Sequence, residues 1–383
     1  MSIQPFRIDV DGADLSRLKE RLRDTRWPDA ETPDDWSQGV PLGYAREFCR
    51  YWAEEYDWPA RQARLNELEQ FVTDIDGLDV HFVHVRSPVA DARPIIITHG
   101  WPGSVVEFVK VIRPLSDPES HGAGPEDAFH VVCPSLPGYG FSGKPTTPGC
   151  GVQKIAAMWD QLMVRLGYDS YFAQGGDWGA AITTAIGIQN LGRCAGLHVN
   201  MPNAGAPEEA RANPSDEDRH ALDRAKAYRD RDSGYSKQQS TRPQTLGYGL
   251  ADSPAGQAMW ILEKFWRWTD CDGHPENVLS RDELIDNIML YWLTNSGASS
   301  ARLYWESFGK TFGSNELVES VPTGCSIFPQ EIVPTPRSWA ERRYRNIVYW
   351  NELAKGGHFA AFEQPELFVA ELRACFRSMR QQS

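Results

Sequence analysis

Residues 170–190, SYFAQGGDWGAAITTAIGIQN, decide the fold. The β-rich SYFA runs into Gly175-Gly176-Asp177-Trp178-Gly179, and the helix-like AAITTAIGI follows directly. Glycines at that junction permit a sharp strand-to-helix turn that lifts one side chain above a sheet, the geometry of a nucleophile elbow. The middle residue of such a turn attacks, and here it is a carboxylate, Asp177. A glycine turn with a capping aspartate is the more frequent meaning of so short a string, but the flanking strand and helix favour the nucleophile. A serine attacking a saturated carbon would leave an ether that water does not readily cleave. An aspartate leaves an ester whose own carbonyl can be hydrolysed. Asp177 therefore points to substrates attacked at an sp³ carbon.

Working outward, LDVHFVHVR, PIIITHG, SVVEFVKVIRPLS, FHVVCPSLP and VQKIAAMWDQLMVRLG precede the turn and AGLHVNMP follows it. Strands alternating with helices predict an α/β fold with a mostly parallel sheet covered on both faces. The rhythm breaks near Pro202. Residues 203–320 read as an all-α lid insertion, with DSPAGQ and SRDEL offering capping residues. Residues 321–383 resume the core, so the core comprises 71–202 and 321–383. Residues 1–70, with DLSRLKERLRDTRWPD and PLGYAREFCRYWAEEYDWPARQARLNELEQF, read as a helical amino-terminal extension wrapping it.

Composition narrows the function. A net charge of −13 with no run of Lys and Arg excludes a nucleic-acid partner. The start, MSIQPFRIDVDGADLSRL, has no signal-peptide pattern, and no stretch approaches the ~18 apolar residues of a membrane span, so a cytoplasmic, membrane-free protein is expected. The seven cysteines are scattered singly, without zinc or disulfide spacing. His81 and His84 fall on opposite faces of a strand and make no ligand pair. GYGFSG, 138–143, has the letters of a dinucleotide fingerprint but is followed by KPTTPGCG instead of a helix. No cofactor and no metal are expected. Trp260, Trp266 and Trp268 suit an apolar pocket and core packing equally.

An ester at Asp177 needs an activated water and a site for the oxyanion. GGHFAAFEQPE supplies His358, the one histidine of nine in core sequence after the lid. Nucleophile, acid, histidine is the chain order of α/β-hydrolases. The acid is read as Glu331 in SIFPQEIVPTP, which ends a strand-like run and should emerge at the same sheet edge. Glu352 and Glu363 stand nearer His358 in sequence, but their places in the last strand and at the start of the last helix suggest surface solvation. THGWPGS follows PIII and opens a helix, so the backbone N–H groups of Trp101 and Trp178 can converge beside Asp177 as an oxyanion hole.

With FRIDV, LKERLRDTRWPD and WSQGVPLGYAREFCRYW leading, HGWPGS, PGYGFSGKP, GGDWG, LADSP, ILEKFWRWTD, FPQE and GGHFAAFEQPE follow in order. Over almost its whole length the chain thus resembles the microsomal-type epoxide hydrolase family, a branch of the α/β-hydrolases that includes the juvenile hormone epoxide hydrolases. The resemblance implies Asp177 as nucleophile, His358 as base and Glu331 as its partner, in agreement with the residues read alone. It adds two lid tyrosines that hydrogen-bond and protonate the epoxide oxygen, Tyr235 in DSGYSKQQSTRPQT and Tyr304 in SSARLYWES, which periodicity does not select from 13 tyrosines. It also implies a cis peptide before Pro102. Gln238 stands where the family usually has an apolar residue. The implied partners are a small apolar epoxide and water; a homodimer is allowed, since the sequence does not fix the number of subunits. The alternative is a haloalkane-type dehalogenase, which shares the aspartate-first chemistry but needs halide-binding donors instead of phenols. The intact Asp177, Glu331 and His358 argue against a silent binding fold, and an elbow without serine argues against a serine esterase.

Overall fold

The runs IIIT and VVCP are apolar at successive positions, which suits strands covered on both faces. They form β4 (Arg93–Thr98) and β5 (Phe129–Pro134) at the middle of a nine-stranded sheet ordered β1-β2-β3-β5-β4-β6-β7-β8-β9. This computed structural model describes residues 2–312, 314 and 316–380. The remaining strands are β1 (Gln4–Phe6), β2 (Gln70–Ile75), β3 (Leu78–Val85), β6 (Tyr171–Gly175), β7 (Cys194–Val199), β8 (Thr323–Ile327) and β9 (Ile347–Glu352). From β5 to β9 neighbours run parallel, whereas β1, β2 and β3 pair antiparallel and β3 joins β5 antiparallel. The extension read as helical therefore also contributes strand. β1 lies within it, and β2 begins at its end and turns into β3 through Asp76-Gly77, both at positive φ as a tight hairpin requires.

The extension carries α1 (Gly12–Arg23), α2 (Leu42–Glu54) and α3 (Trp58–Leu65). Of the crossover helices, α4 (Val109–Ser116) packs on β5 and β3, while α5 (Val152–Arg165) and α6 (Asp177–Gln189) pack on each other, α6 also lying on β4, β6 and β7. Between β7 and β8 lie α7 (Glu208–Ala212), α8 (Asp216–Arg231), α9 (Gly234–Thr241), α10 (Pro243–Asp252), α11 (Pro254–Trp268), α12 (Arg281–Trp292) and α13 (Gly297–Thr311). Ser253 caps α11, and Ser280 with Glu283 forms a capping box on α12. α14 (Arg337–Arg343), α15 (Ala360–Glu363) and α16 (Pro365–Arg380) complete the chain, with α16 packed beside α4. GYGFSG closes a loop on β3, Gly143 N–H donating to Asp79 O at 2.7 Å, and no helix follows before Val152. Among the described residues no helix is long and apolar enough to cross a membrane, and no cluster of His, Cys, Asp and Glu could hold a metal ion.

Candidate active site

The sheet brings four parallel-strand ends to one edge: the loop after β4, the turn after β6, and the loops after β8 and β9. The turn after β6 is sharp because Asp177 sits at φ 50°, a left-handed conformation that a non-glycine residue adopts at a cost. Gly179 lets α6 lie directly on β4, since a Cβ there would meet Thr98 O at 1.9 Å. Asp177 is buried in the first turn of α6, where the helix dipole favours its negative charge. The Trp101 N–H donates to Asp177 Oδ1 at 2.8 Å, and the Trp101–Pro102 peptide is cis. The Trp178 N–H lies in the same first turn of α6, with no carbonyl four residues back inside the helix to pair with.

His358 and Glu331 are both buried, and His358 Nδ1 lies 2.5 Å from Glu331 Oε1. On its other side His358 Nε2 is 3.3 Å from Asp177 Oδ2. The His358 N–H donates to Trp268 O at 2.9 Å, and a parallel bridge between Gln330 and Gly357 ties together the loops that carry the acid and the histidine. Burial alone would lower the His358 pKa; the negative charges of Glu331 and Asp177 and the hydrogen bonds to both reverse that and hold it well above its ordinary value. Among the three core acids weighed from sequence, Glu352 is exposed, but Glu363 is not the solvated residue its position suggested. It is buried, its two oxygens accepting from Asp270 N at 2.8 Å and Phe359 N at 3.2 Å, so it braces the loop beside His358. Burial pushes its pKa up to about 7.

Above Asp177 opens a cavity of about 620 Å³, mainly apolar, whose wall includes Tyr228, Tyr235, Tyr304, Phe308 and Phe312. Tyr235 stacks on the Trp101 ring at 4.9 Å and 8°, and Tyr304 meets Trp178 edge-on at 4.8 Å. The Tyr235 and Tyr304 rings lie 5.7 Å apart at 79°. Burial, reinforced by the Asp177 charge, holds both phenols well above their ordinary pKa, so they are protonated donors at neutral pH. Of Trp260, Trp266 and Trp268, the last joins the site, against the His358 ring at 5.1 Å; Trp266 stacks on Trp36 and Trp260 bonds Gln239.

Several supporting residues carry no sequence signal. Tyr228 shares a hydroxyl contact of 3.1 Å with Tyr235 across the break between α8 and α9. The buried Lys264 bonds Asp232 at 2.6 Å and lies 4.7 Å from the centre of the Tyr235 ring, while Asp232 also accepts from Trp268 Nε1 at 2.6 Å. Asn287 and Tyr291 of α12 bond Pro102 O at 2.8 Å and Gly103 O at 2.7 Å, fixing the loop that carries Trp101.

Fold and site together define an α/β hydrolase whose elbow holds an aspartate, with a histidine–glutamate pair on one side and two buried phenols above. The family model described as the epoxide hydrolase N terminus matches residues 3–108, and that of the alpha/beta hydrolase fold matches 93–244. The chain is 52% identical to a candidate epoxide hydrolase of Stigmatella aurantiaca over 99% of this chain and 86% of that protein. It is 36% identical to epoxide hydrolase 1 of Oryctolagus cuniculus over 97% and 88% of the two chains. The crystal structure of juvenile hormone epoxide hydrolase from the silkworm Bombyx mori superposes with a TM-score of 0.92 at 34% identity, covering 100% of this chain and 95% of that one. The Aspergillus niger epoxide hydrolase structure gives 0.89 at 32% identity, covering 99% and 97%. The chain belongs to the microsomal-type epoxide hydrolase family.

Proposed function

We propose that this protein hydrolyses epoxides to vicinal diols through an ester on Asp177. One observation carries the proposal: the Asp177 carboxylate lies between the Trp101 N–H and His358 Nε2, at the floor of an apolar cavity that also exposes two protonated phenols. Asp177 attacks one epoxide carbon, the C–O bond of the strained ring breaks, and Tyr235 and Tyr304 hydrogen-bond and protonate the departing oxygen. Ester formation removes the charge on Asp177, so His358 loses one of the two anions that held its proton. The proton it sheds balances the one the epoxide oxygen gains. Neutral His358, oriented by Glu331, then takes a proton from water as the water oxygen attacks Asp177 Cγ. The carbonyl electrons move onto the oxygen held by the Trp101 and Trp178 N–H groups. Collapse breaks the bond from Cγ to the substrate oxygen, which takes the proton back from His358, and the diol leaves.

The apolar wall suits a small apolar epoxide, and ring strain with water as second substrate leaves no step that calls for a cofactor. Hydrolysis in heavy-oxygen water tests the path: the label should enter the Asp177 side chain over repeated turnovers, and label found only in the diol would overturn it. The dehalogenase alternative is not favoured, because the relatives are named epoxide hydrolases and buried phenols answer an alkoxide. Tyr235→Phe with Tyr304→Phe separates the two, with ester formation expected to fall by roughly 10²-fold or more on an epoxide.

A further inference from the structure

The two phenols above Asp177 do not share one environment. Tyr304 is packed by uncharged rings, with Trp178 edge-on at 4.8 Å and Phe308 stacked at 5.6 Å. Tyr235, on α9, has the ammonium of Lys264, from α11, 4.7 Å from its ring centre. Lys264 is buried, and Asp232 at the end of α8 is buried beside it, 2.6 Å away. A buried ion pair is weak ground for stability, since apolar side chains of similar volume often serve as well or better. A pair that costs desolvation and stands against a reacting group calls for a role. Both carboxylates that anchor the ammonium are themselves engaged: the second oxygen of Asp232 accepts from Trp268 Nε1 at 2.6 Å, and Glu263, which also reaches Lys264 Nζ at 2.6 Å, is partly open to solvent. The charge over the Tyr235 ring is the ammonium. After burial, the strongest influence raising the Tyr304 pKa is the Asp177 carboxylate, whereas Tyr235 feels its phenol neighbours Tyr304 and Tyr228 more than it feels Asp177.

We propose that Lys264 is a positioning residue that divides the work of the two phenols: its ammonium makes Tyr235 the proton donor to the departing oxygen and leaves Tyr304 to hydrogen-bond it. A cation over an aromatic face is held more strongly as the ring gains negative charge, so Lys264 favours Tyr235 most at the moment its hydroxyl gives up the proton. As an Asp177 oxygen bonds to the epoxide carbon and the C–O bond breaks, the Tyr235 proton passes to the departing oxygen and the O–H electron pair stays on the phenolate. Tyr228, whose hydroxyl is 3.1 Å away, then donates to the phenolate oxygen. The phenolate regains a proton from water in the cavity, in balance with the proton that His358 sheds once Asp177 is esterified.

The assignment rests on the ester path proposed above, and rapid-quench kinetics with intact-protein mass detection keeps the two apart. Lys264→Met combined with Asp232→Asn removes the ammonium, strands no carboxylate of the pair and keeps an acceptor for Trp268 Nε1. On propylene oxide this double variant should form the ester roughly tenfold or more slowly, the scale of a desolvated cation–π contact, yet hydrolyse it within about twofold of the parent rate. A trifluoromethyl group on the carbon that keeps the departing oxygen makes that oxygen less basic and less dependent on a donor, so on that analogue the loss should shrink to about threefold or less. In a Tyr235→Phe background, removing the pair should cost less than about twofold, while in a Tyr304→Phe background it should keep its full effect. Ester formation at the parent rate, an equal loss on both epoxides, hydrolysis slowed as much as ester formation, or full loss without the Tyr235 hydroxyl overturns the proposal. Should the double variant not fold, the single phenol variants decide: Tyr235→Phe must slow ester formation on propylene oxide roughly tenfold more than Tyr304→Phe, and equal or reversed losses overturn the assignment. No ester in the parent would sink the ester path itself, and the division of labour with it.

Discussion

His358 meets opposite demands in the two halves of the reaction. Next to two carboxylates it keeps its proton, yet hydrolysis requires it as a base. The substrate makes the switch, because alkylation erases the Asp177 charge and leaves burial opposed only by Glu331. This gives a test at the level of one atom. Glu331→Gln removes a negative charge 2.5 Å from Nδ1, so the His358 pKa must fall, and the pH above which the free enzyme loses its imidazolium moves down. Titration of the His358 ring by nitrogen NMR in the parent and the variant should show that decrease; an unchanged or raised value would mean Glu331 does not govern the proton. Asp177, His358 and Glu331 stand out in the sequence because each sits where a local pattern changes, at a glycine turn or just past a strand. Tyr228 and Lys264 do not. Their roles come from neighbours far along the chain, as with Lys264 and Asp232, and no periodicity records such contacts. Glu363 shows the opposite error, since the first turn of an amphipathic segment reads as solvent-facing until the loops packed over it are known.

Among the elements, the core strands were readable because burial on both faces demands uninterrupted apolar runs, as in β4 and β5. β1 and β2 were not, β1 being a three-residue edge strand and β2 a short strand of mixed polarity held between β1 and β3, although the Asp76-Gly77 turn between β2 and β3 is itself a hairpin signal. The loops after β8 and β9 reach the site as a unit, joined by the Gln330–Gly357 bridge and underpinned by Glu363 on α15. That brace has a pH signature. A carboxyl raised from 4.5 to about 7 is protonated in the folded protein over a range in which the unfolded chain has released the proton. Stability from this group is therefore fully present below pH 4.5 and is lost as pH rises toward and through about 7. Glu363→Gln, which cannot ionise, should remove that slope. Urea unfolding at pH 5 and pH 8 should show the variant gaining on the parent by roughly 1–3 kcal/mol across the interval. A difference that stays constant with pH would show that Glu363 does not titrate there.

For the whole molecule, the extension acts on the site through the lid. Tyr56 OH bonds Asp286 of α12 at 2.7 Å, Arg61 Nε bonds the same carboxylate at 2.9 Å, and Tyr51 OH bonds Asp282 at 2.8 Å. One position along α12 from Asp286, Asn287 donates to Pro102 O and accepts from Ser104 Oγ, and one turn further Tyr291 OH donates to Gly103 O. A continuous set of hydrogen bonds thus runs from α3 through α12 to the loop that presents the Trp101 N–H to Asp177. Burial raises the Asp286 pKa and the bonds from Arg61 and Tyr56 oppose it, so Arg61 is what keeps that carboxylate charged. Arg61→Met should strand a buried anion. The full cost of breaking a buried pair is about 3–5 kcal/mol, and partial solvent screening of Arg61 places the loss nearer 2–3 kcal/mol. The sign with pH follows: without Arg61 the Asp286 pKa climbs further, so acid relieves the strain by protonating it and the deficit is larger at pH 8 than at pH 5. Adding Asp286→Asn should restore part of the stability, because the variant amide has no charge to leave unpaired. Thermal unfolding at the two pH values, with the rate of ester formation measured alongside, checks both ends of the connection: a folded Arg61→Met protein whose ester formation is slowed, and recovers in the double variant, would show that the extension sets the geometry of the oxyanion loop, whereas lost stability with an unchanged rate would confine the extension to holding the fold.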